Sequence, residues 1–200
     1  MGPRAFRCTP TKTGEPVLED WNVVATARGG AFRRAWTLLE GTVAAVDRTK
    51  YPNVLVCRAG NIREMMDHLQ SWVVPGAPDP ISKAFYRITP GSMTFEFDNA
   101  NDFHTRLRTR AASWAEILAG HSFQVRIHRH GFKSAVASQS QSERMLEQFL
   151  LSETQKIGAP ARVDYHNPAG VLVVETVDQR GGMSLFSRKE LQHYSFLHTG

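Results

Sequence analysis

Apolar and polar positions along this chain follow two rhythms, and the change from one to the other falls at glycine and proline. "WNVVATAR" (21–28) predicts a strand, closed by the turn residues Gly29 and Gly30. Phe32, Ala35, Trp36 and Leu39 then recur at helical spacing, with Arg33 and Arg34 outside the stripe and Gly41 as a stop. "TVAAV" and "NVLVC" predict two strands joined by a loop around "DRTKYP". Ile62, Met65, Met66, Leu69 and Trp72 mark a second helical face, "VPGAPDP" breaks it, and "KAFYRI" predicts a fourth strand.

That β-α-β-β-α-β order is the one of a ferredoxin-like unit. A second unit begins near Gly91. "MTFEF" alternates, and a long helix follows with Phe103, Leu107, Ala111, Trp114 and Leu118 on one side and Gly120 at its end. "SFQVRIHRHG" (122–131) predicts a half-buried strand. Ser140 and Glu143 have capping-box spacing and predict a helix with Leu146, Phe149, Leu150 and Ile157 inward. "ARVDY" and "GGMSLF" predict strands, and "RKELQHY" a short helix or turn. "VLVVETV" is apolar on both faces and so belongs at the centre of a sheet. The expected class is α+β: an irregular arm over 1–19, a ferredoxin-like domain over 20–92 and a second α/β domain over 93–200.

The 200 residues carry 42% hydrophobic and 22% charged side chains and a net charge of +5, a mild bias toward polyanions. No apolar run approaches the ~20 residues of a membrane span, and the first residues lack a signal-peptide core. Cys8 and Cys57 are too few for a disulfide framework or a thiolate zinc cage. A cytoplasmic protein without membrane contact is expected.

Motifs for nucleotide, cofactor or metal chemistry are not found, so no cofactor and no self-contained catalysis are expected. Glu143 and Glu147, one turn apart, read as a solvated helix face. "ARGGAFRR" reads as a glycine turn with an exposed basic helix face, or as a phosphate cradle at a helix start. In "HNPAG" (166–170), Asn167 is balanced between capping local backbone and touching a ligand.

The end of the 122–131 strand concentrates charge. Phe123, Val125 and Ile127 point one way, and Gln124, Arg126, His128 and His130 the other. Arg129 falls on the inward parity, at the strand's end, where a long side chain can turn out of the core; Lys133 extends the charge, and Arg106 and Arg110 add to it from the preceding helix. Several explanations stand open: a nucleic-acid grip, a metal centre on His128 and His130 with His104, His121 or His166 as further ligands, a plain solvated basic surface, or a scaffold whose basic face meets an acidic protein.

The motif order resembles the THUMP domain family of RNA-modifying proteins. The resemblance rests on Arg129-His130-Gly131, then Val163-Asp164, Asn167-Pro168 and Val173-Val174-Glu175; Ala169-Gly170 depart from the family's usual residues after Asn-Pro. A chain of this size is similar to the accessory subunit of tRNA cytidine acetyltransferase. The resemblance implies a THUMP domain over 93–200 behind the ferredoxin-like one. It also implies a non-catalytic adaptor that holds the tRNA acceptor stem and 3′ end for a separate modifying enzyme, a cytidine acetyltransferase. Arg126, His128, Arg129, His130, Lys133, Arg106, Arg110 and Asn167 are the expected RNA contacts, with the two histidines protonated beside phosphate.

Overall fold

The computed structural model describes residues 18–74, 76–77, 79–131 and 138–197. The expected arm over 1–19 lies almost wholly outside them, as do Cys8 and Lys133. None of the described helices is long and apolar enough to cross a membrane.

The first unit runs β1 (Val23–Ala27), α1 (Phe32–Glu40), β2 (Ala45–Arg48), β3 (Val54–Arg58), α2 (Ile62–Ser71), α3 (Pro80–Ala84) and β4 (Phe85–Pro90). Its strands form an antiparallel sheet in the order β2-β3-β1-β4. The stripes that predicted the helices are the ones that pack. Ala35, Leu39, Met65, Met66 and Leu69 close over Val23, Ala25, Leu55, Cys57 and Ile88. Cys57 behaves as a small apolar residue there, with its thiol pKa pushed up by burial. The predicted break in "VPGAPDP" turns directly into α3, because Asp79 accepts from the Ile81 N–H and Pro80 supplies a fixed φ at the first helical position.

The second unit runs β5 (Met93–Glu96), α4 (Ala100–Ala111), a 3₁₀ turn (Ala112–Trp114), α5 (Ala115–Leu118), β6 (Ser122–His130), α6 (Gln139–Lys156), β7 (Arg162–Val163), β8 (Gly170–Val177), β9 (Arg180–Ser187) and α7 (Arg188–His193). Its mixed sheet has the order β5-β9-β8-β6-β7. β8 lies at the centre and is buried throughout, as its two-faced apolar run predicts. The single long helix predicted over 103–118 is instead interrupted by the 3₁₀ turn. Helix α6 starts two residues earlier than predicted. Ser138 and Gln141, not Ser140 and Glu143, form the reciprocal cap, which frees Glu143 for another task. Ile157, expected inward, is 48% exposed just past the helix end.

Alternation along β8 sorts the second sheet's faces. Leu172 and Val174 join Phe103, Leu107, Val125, Ile127, Leu146 and Leu150 under α4 and α6. Val171 and Val173 join the first unit's core, which also takes in Tyr194, Phe196 and Leu197 from the end of the chain. The two sheets thus share one seam, and every odd-numbered residue of β8 between 171 and 177 faces it.

Candidate nucleic-acid interface

Glu175 is the one acid in the otherwise apolar and hydroxylated β8, and it points into the seam, 1% exposed. A lone buried carboxylate is costly, so it must be paired. Arg87 on β4 donates from Nε to Glu175 Oε1 at 2.7 Å, and Thr89 Oγ1 donates to the same oxygen at 3.1 Å. On the other side β6 runs parallel to β8, with His128 opposite Glu175 and His130 opposite Val177. His130 Nε2 lies 3.3 Å from Glu175 Oε2, close enough to attract without the alignment of a hydrogen bond. Arg126, His128 and His130 are half-buried at this seam. The alternation read from the sequence is right, but the polar face of β6 meets the first unit.

That corrects the protonation expected of His128. Burial is the main cause that lowers the His128 pKa to about 4. Glu175 opposes it, and Arg87, His130 and Arg126 add to it. In the unfolded chain His128 takes up a proton near 6.5, so its share of the stability is complete above that pH and is lost as the pH falls toward 4. The loss is at most on the order of 3 kcal/mol. Urea denaturation at pH 7 and pH 4.5 measures it, and His128→Gln, which does not titrate, is expected to flatten the difference.

Arg129 faces the opposite way, as its parity predicts, and it stays there. Its guanidinium lies 5.5 Å from the Phe103 ring centroid and Nη2 donates to Ser142 Oγ, between α4 and α6. Ser142 also meets His104 Nε2 at 2.9 Å. Arg106 is less available than its helix position suggested, because Nε donates to both oxygens of Asp102 at 2.8 and 2.9 Å. Arg110 lies over Phe95, 5.0 Å from the centroid. Asn167 sits beyond the opposite end of β6, where Phe123 pairs with Gly170, about 20 Å from His130. Asp164, not Asn167, holds that turn: its Oδ1 accepts from the N–H groups of His166 and Asn167, which lowers its pKa.

Glu143 and Glu147 are not a solvated face. β7 pairs with β6 only at Ser122 and Phe123, leaving the rest of that edge open. Glu143 Oε1 accepts from the Ile127 N–H at 2.9 Å, and Glu147 Oε1 from the Val125 N–H at 3.5 Å. Glu147 also accepts from Tyr165 and is 4% exposed, and burial raises its pKa. Two carboxylates one helical turn apart are thus matched to alternate N–H groups of a strand edge. Among the described residues no group of three or more His, Cys, Asp or Glu is placed to hold a metal ion. His104, His121 and His166 do not join His128 and His130.

The end of β6 is locked from the first unit. Gly131 has φ +87°, and a Cβ there would overlap the Tyr51 ring and hydroxyl. The Tyr51 hydroxyl donates to Asp178 Oδ1 in the β8–β9 turn, and Lys50 Nζ lies 2.9 Å from the same oxygen. The loop of "DRTKYP" therefore rests on the glycine of "RHG".

Beyond the seam the positive surface continues on the first unit. Tyr86, 46% exposed, is flanked by Arg87 at 5.8 Å and Arg28 at 6.0 Å from its centroid. Arg28, Arg87, His130 and Arg126 thus lie across both units, with Glu175 bound to Arg87 and Glu147 near Arg126. Sequence reasoning passed over Arg87, Tyr86 and Thr89. The available signal was Arg87 itself, a charge inside "AFYRITP", together with Glu175 inside "VLVVETV": two costly ions in apolar strands imply each other.

No family model matches the chain, and no curated protein matches it. Solved structures do. PH1313 from Pyrococcus horikoshii superposes with a TM-score of 0.55 at 11% identity, over 82% of this chain and 53% of that one. TrmN from Thermus thermophilus does so with 0.52 at 18% identity, over 82% of this chain and 44% of that one. The fold is one these proteins share. A Clostridium difficile protein described as a possible methylase has it too, with a TM-score of 0.52 at 10% identity, over 82% of this chain and 40% of that one. The chain therefore spans about half the length of these proteins or less.

This overturns the expectation of a non-catalytic adaptor served by a separate modifying enzyme. The fold occurs as one part of longer proteins, one of them described as a possible methylase, so an absence of catalytic motifs within it does not mark a non-enzyme. The acetyltransferase partner falls with it, since none of the three proteins is described as one.

Proposed function

We propose that these residues are the RNA-gripping part of an RNA-modifying enzyme, with tRNA as substrate and a methyl group as the modification. Exposed Arg28 on the first unit and half-buried Arg126 and His130 on the second, with Arg87 bound to Glu175 in the seam between them, carry this reading. Phosphates that reach the first three release counterions. The motif order Arg129-His130-Gly131, Asp164, Asn167-Pro168 and Glu175 supports a THUMP-type domain over 93–200. The strand order β2-β3-β1-β4 supports a ferredoxin-like domain over 20–92. The end of the chain, Tyr194 to Leu197, completes the core of the first of these.

Within this reading Arg126 and His130 meet RNA from the rim of the seam, and Arg106, Arg110 and Arg129 lie on the other face of the second sheet, toward α4. Lys133 extends the charge from outside the described residues, and Asn167 lies at the far end of the strand. His128 stays neutral and positions its neighbours. The location is cytoplasmic.

Two measurements test the proposal. Binding of unmodified tRNA, followed across salt, is expected to weaken with a steep slope, and Arg126→Gln is expected to lower that slope by about 0.7–0.9. Nucleoside mass spectrometry of tRNA from the native host lacking the protein is expected to show one methylated nucleoside missing. A complete nucleoside set together with no tRNA binding would overturn it.

A further inference from the structure

We infer that Tyr86 is a stacking platform for a base of single-stranded RNA, a contact on the first unit separate from the seam. The inference rests on the RNA-binding reading above and adds a ligand form and a site to it. Single exposed aromatics are ordinary, but this one has unusual company. Tyr86 lies on β4, at the edge of its sheet, with nearly half its surface open. The Arg28 and Arg87 guanidinium carbons lie over the ring at 6.0 and 5.8 Å from its centroid, the outer limit of cation–π reach, and 46% of the residue stays exposed beside them.

Arg28 is held in place. Its Nε donates to the Ser82 carbonyl, and its backbone N–H to the Ala84 carbonyl. Its guanidinium therefore sits beside the ring at little further cost in side-chain entropy. Exposed Arg33 and Arg34 follow on the first turn of α1, and exposed Lys83 precedes β4. Among the described residues none of these four cations has an acid within ion-pair distance, whereas Arg58, Arg63, Arg106 and Arg180 each do. Helix α1 adds to this: it has no acid in its first turn and no side-chain cap at Ala31.

An exposed aromatic with unpaired Arg28 against it, and with exposed Lys83, Arg33 and Arg34 nearby in sequence, meets both needs of an unstacked nucleotide, a π-surface for the base and positive charge for the phosphates beside it. A duplex hides its bases and has no use for the ring. Arg28, Arg33, Arg34 and Lys83 contact phosphates, and Tyr86 the base.

The test is fluorescence anisotropy with a labelled single-stranded oligoribonucleotide and a blunt RNA duplex of equal length. Tyr86→Ala is expected to weaken single-strand binding by about 5- to 150-fold and to leave duplex binding within about two-fold. Tyr86→Phe, which keeps the ring, is expected to hold most of the affinity. Arg33→Gln with Arg34→Gln is expected to lower the single-strand salt slope by about 1.4. A 5-iodouridine oligonucleotide is expected to crosslink to Tyr86 in the wild-type chain. Single-strand binding untouched by Tyr86→Ala, or an equal loss on both RNAs, overturns the inference alone. A wild-type chain that binds neither RNA overturns it together with the proposed function.

Discussion

Glu175→Ala is expected to cost the fold about 3–5 kcal/mol, because it strands Arg87 in a seam closed to water. Arg87 and Glu175 are 9% and 2% exposed at their side chains, so solvent cannot replace the lost partner. Thr89 and His130 lose the same carboxylate. The positive charges left behind, Arg87 and Arg126, then repel across the interface between the two sheets. Chemical denaturation at pH 7 reads the loss. Replacing both ions, Arg87→Met with Glu175→Leu, is expected to recover most of it, since a buried pair is weak in net terms while half a pair is costly. A double variant as unstable as Glu175→Ala would show that the pair contributes through geometry and not through charge balance.

Gly131→Ala is expected to be nearly as damaging, for a different reason. The backbone at φ +87° disfavours any side chain, and the new methyl group displaces Tyr51 from Asp178. Strain and a lost charge-assisted hydrogen bond together come to about 2–5 kcal/mol. Pairing Gly131→Ala with Tyr51→Ala removes the overlap with the ring but neither the dihedral strain nor the 2.8 Å approach to Asp178 Oδ1, so part of the loss is expected to return. Thermal unfolding of the double variant against Tyr51→Ala alone reads what remains. Equal stability of those two would show that the dihedral carries no cost.

The elements of this fold were legible because each announces itself locally. Helical stripes such as Met65, Met66 and Leu69, and the two-faced apolar run of β8, depend only on neighbours in sequence. What stayed hidden depends on packing between distant segments. Arg126, His128 and His130 read as an outward basic face because alternation says which residues share a side, never what covers it. Glu143 and Glu147 looked solvated because nothing in their helix shows that a strand edge lies one residue spacing away. The capping box was assigned to the wrong pair because Ser138 and Gln141 carry the same spacing two residues earlier. Asn167 was the candidate cap for its turn, and only the folded backbone shows that Asp164 holds it instead. Arg129 was placed correctly by parity, while its stacking on Phe103 needed the fold.

The route taken by the last residues also bears on how the chain is made. Tyr194 hydroxyl bonds to Asp67 and takes a hydrogen bond from Arg63, 127 and 131 residues away in sequence. The Ile88 N–H donates to the Phe196 carbonyl, and Phe196 and Leu197 fill the first core. A ribosome releases the first unit long before it releases this plug. During that interval β4 has an unsatisfied edge and the core stands open on one side. Completion of the first core therefore waits on the synthesis of the second unit.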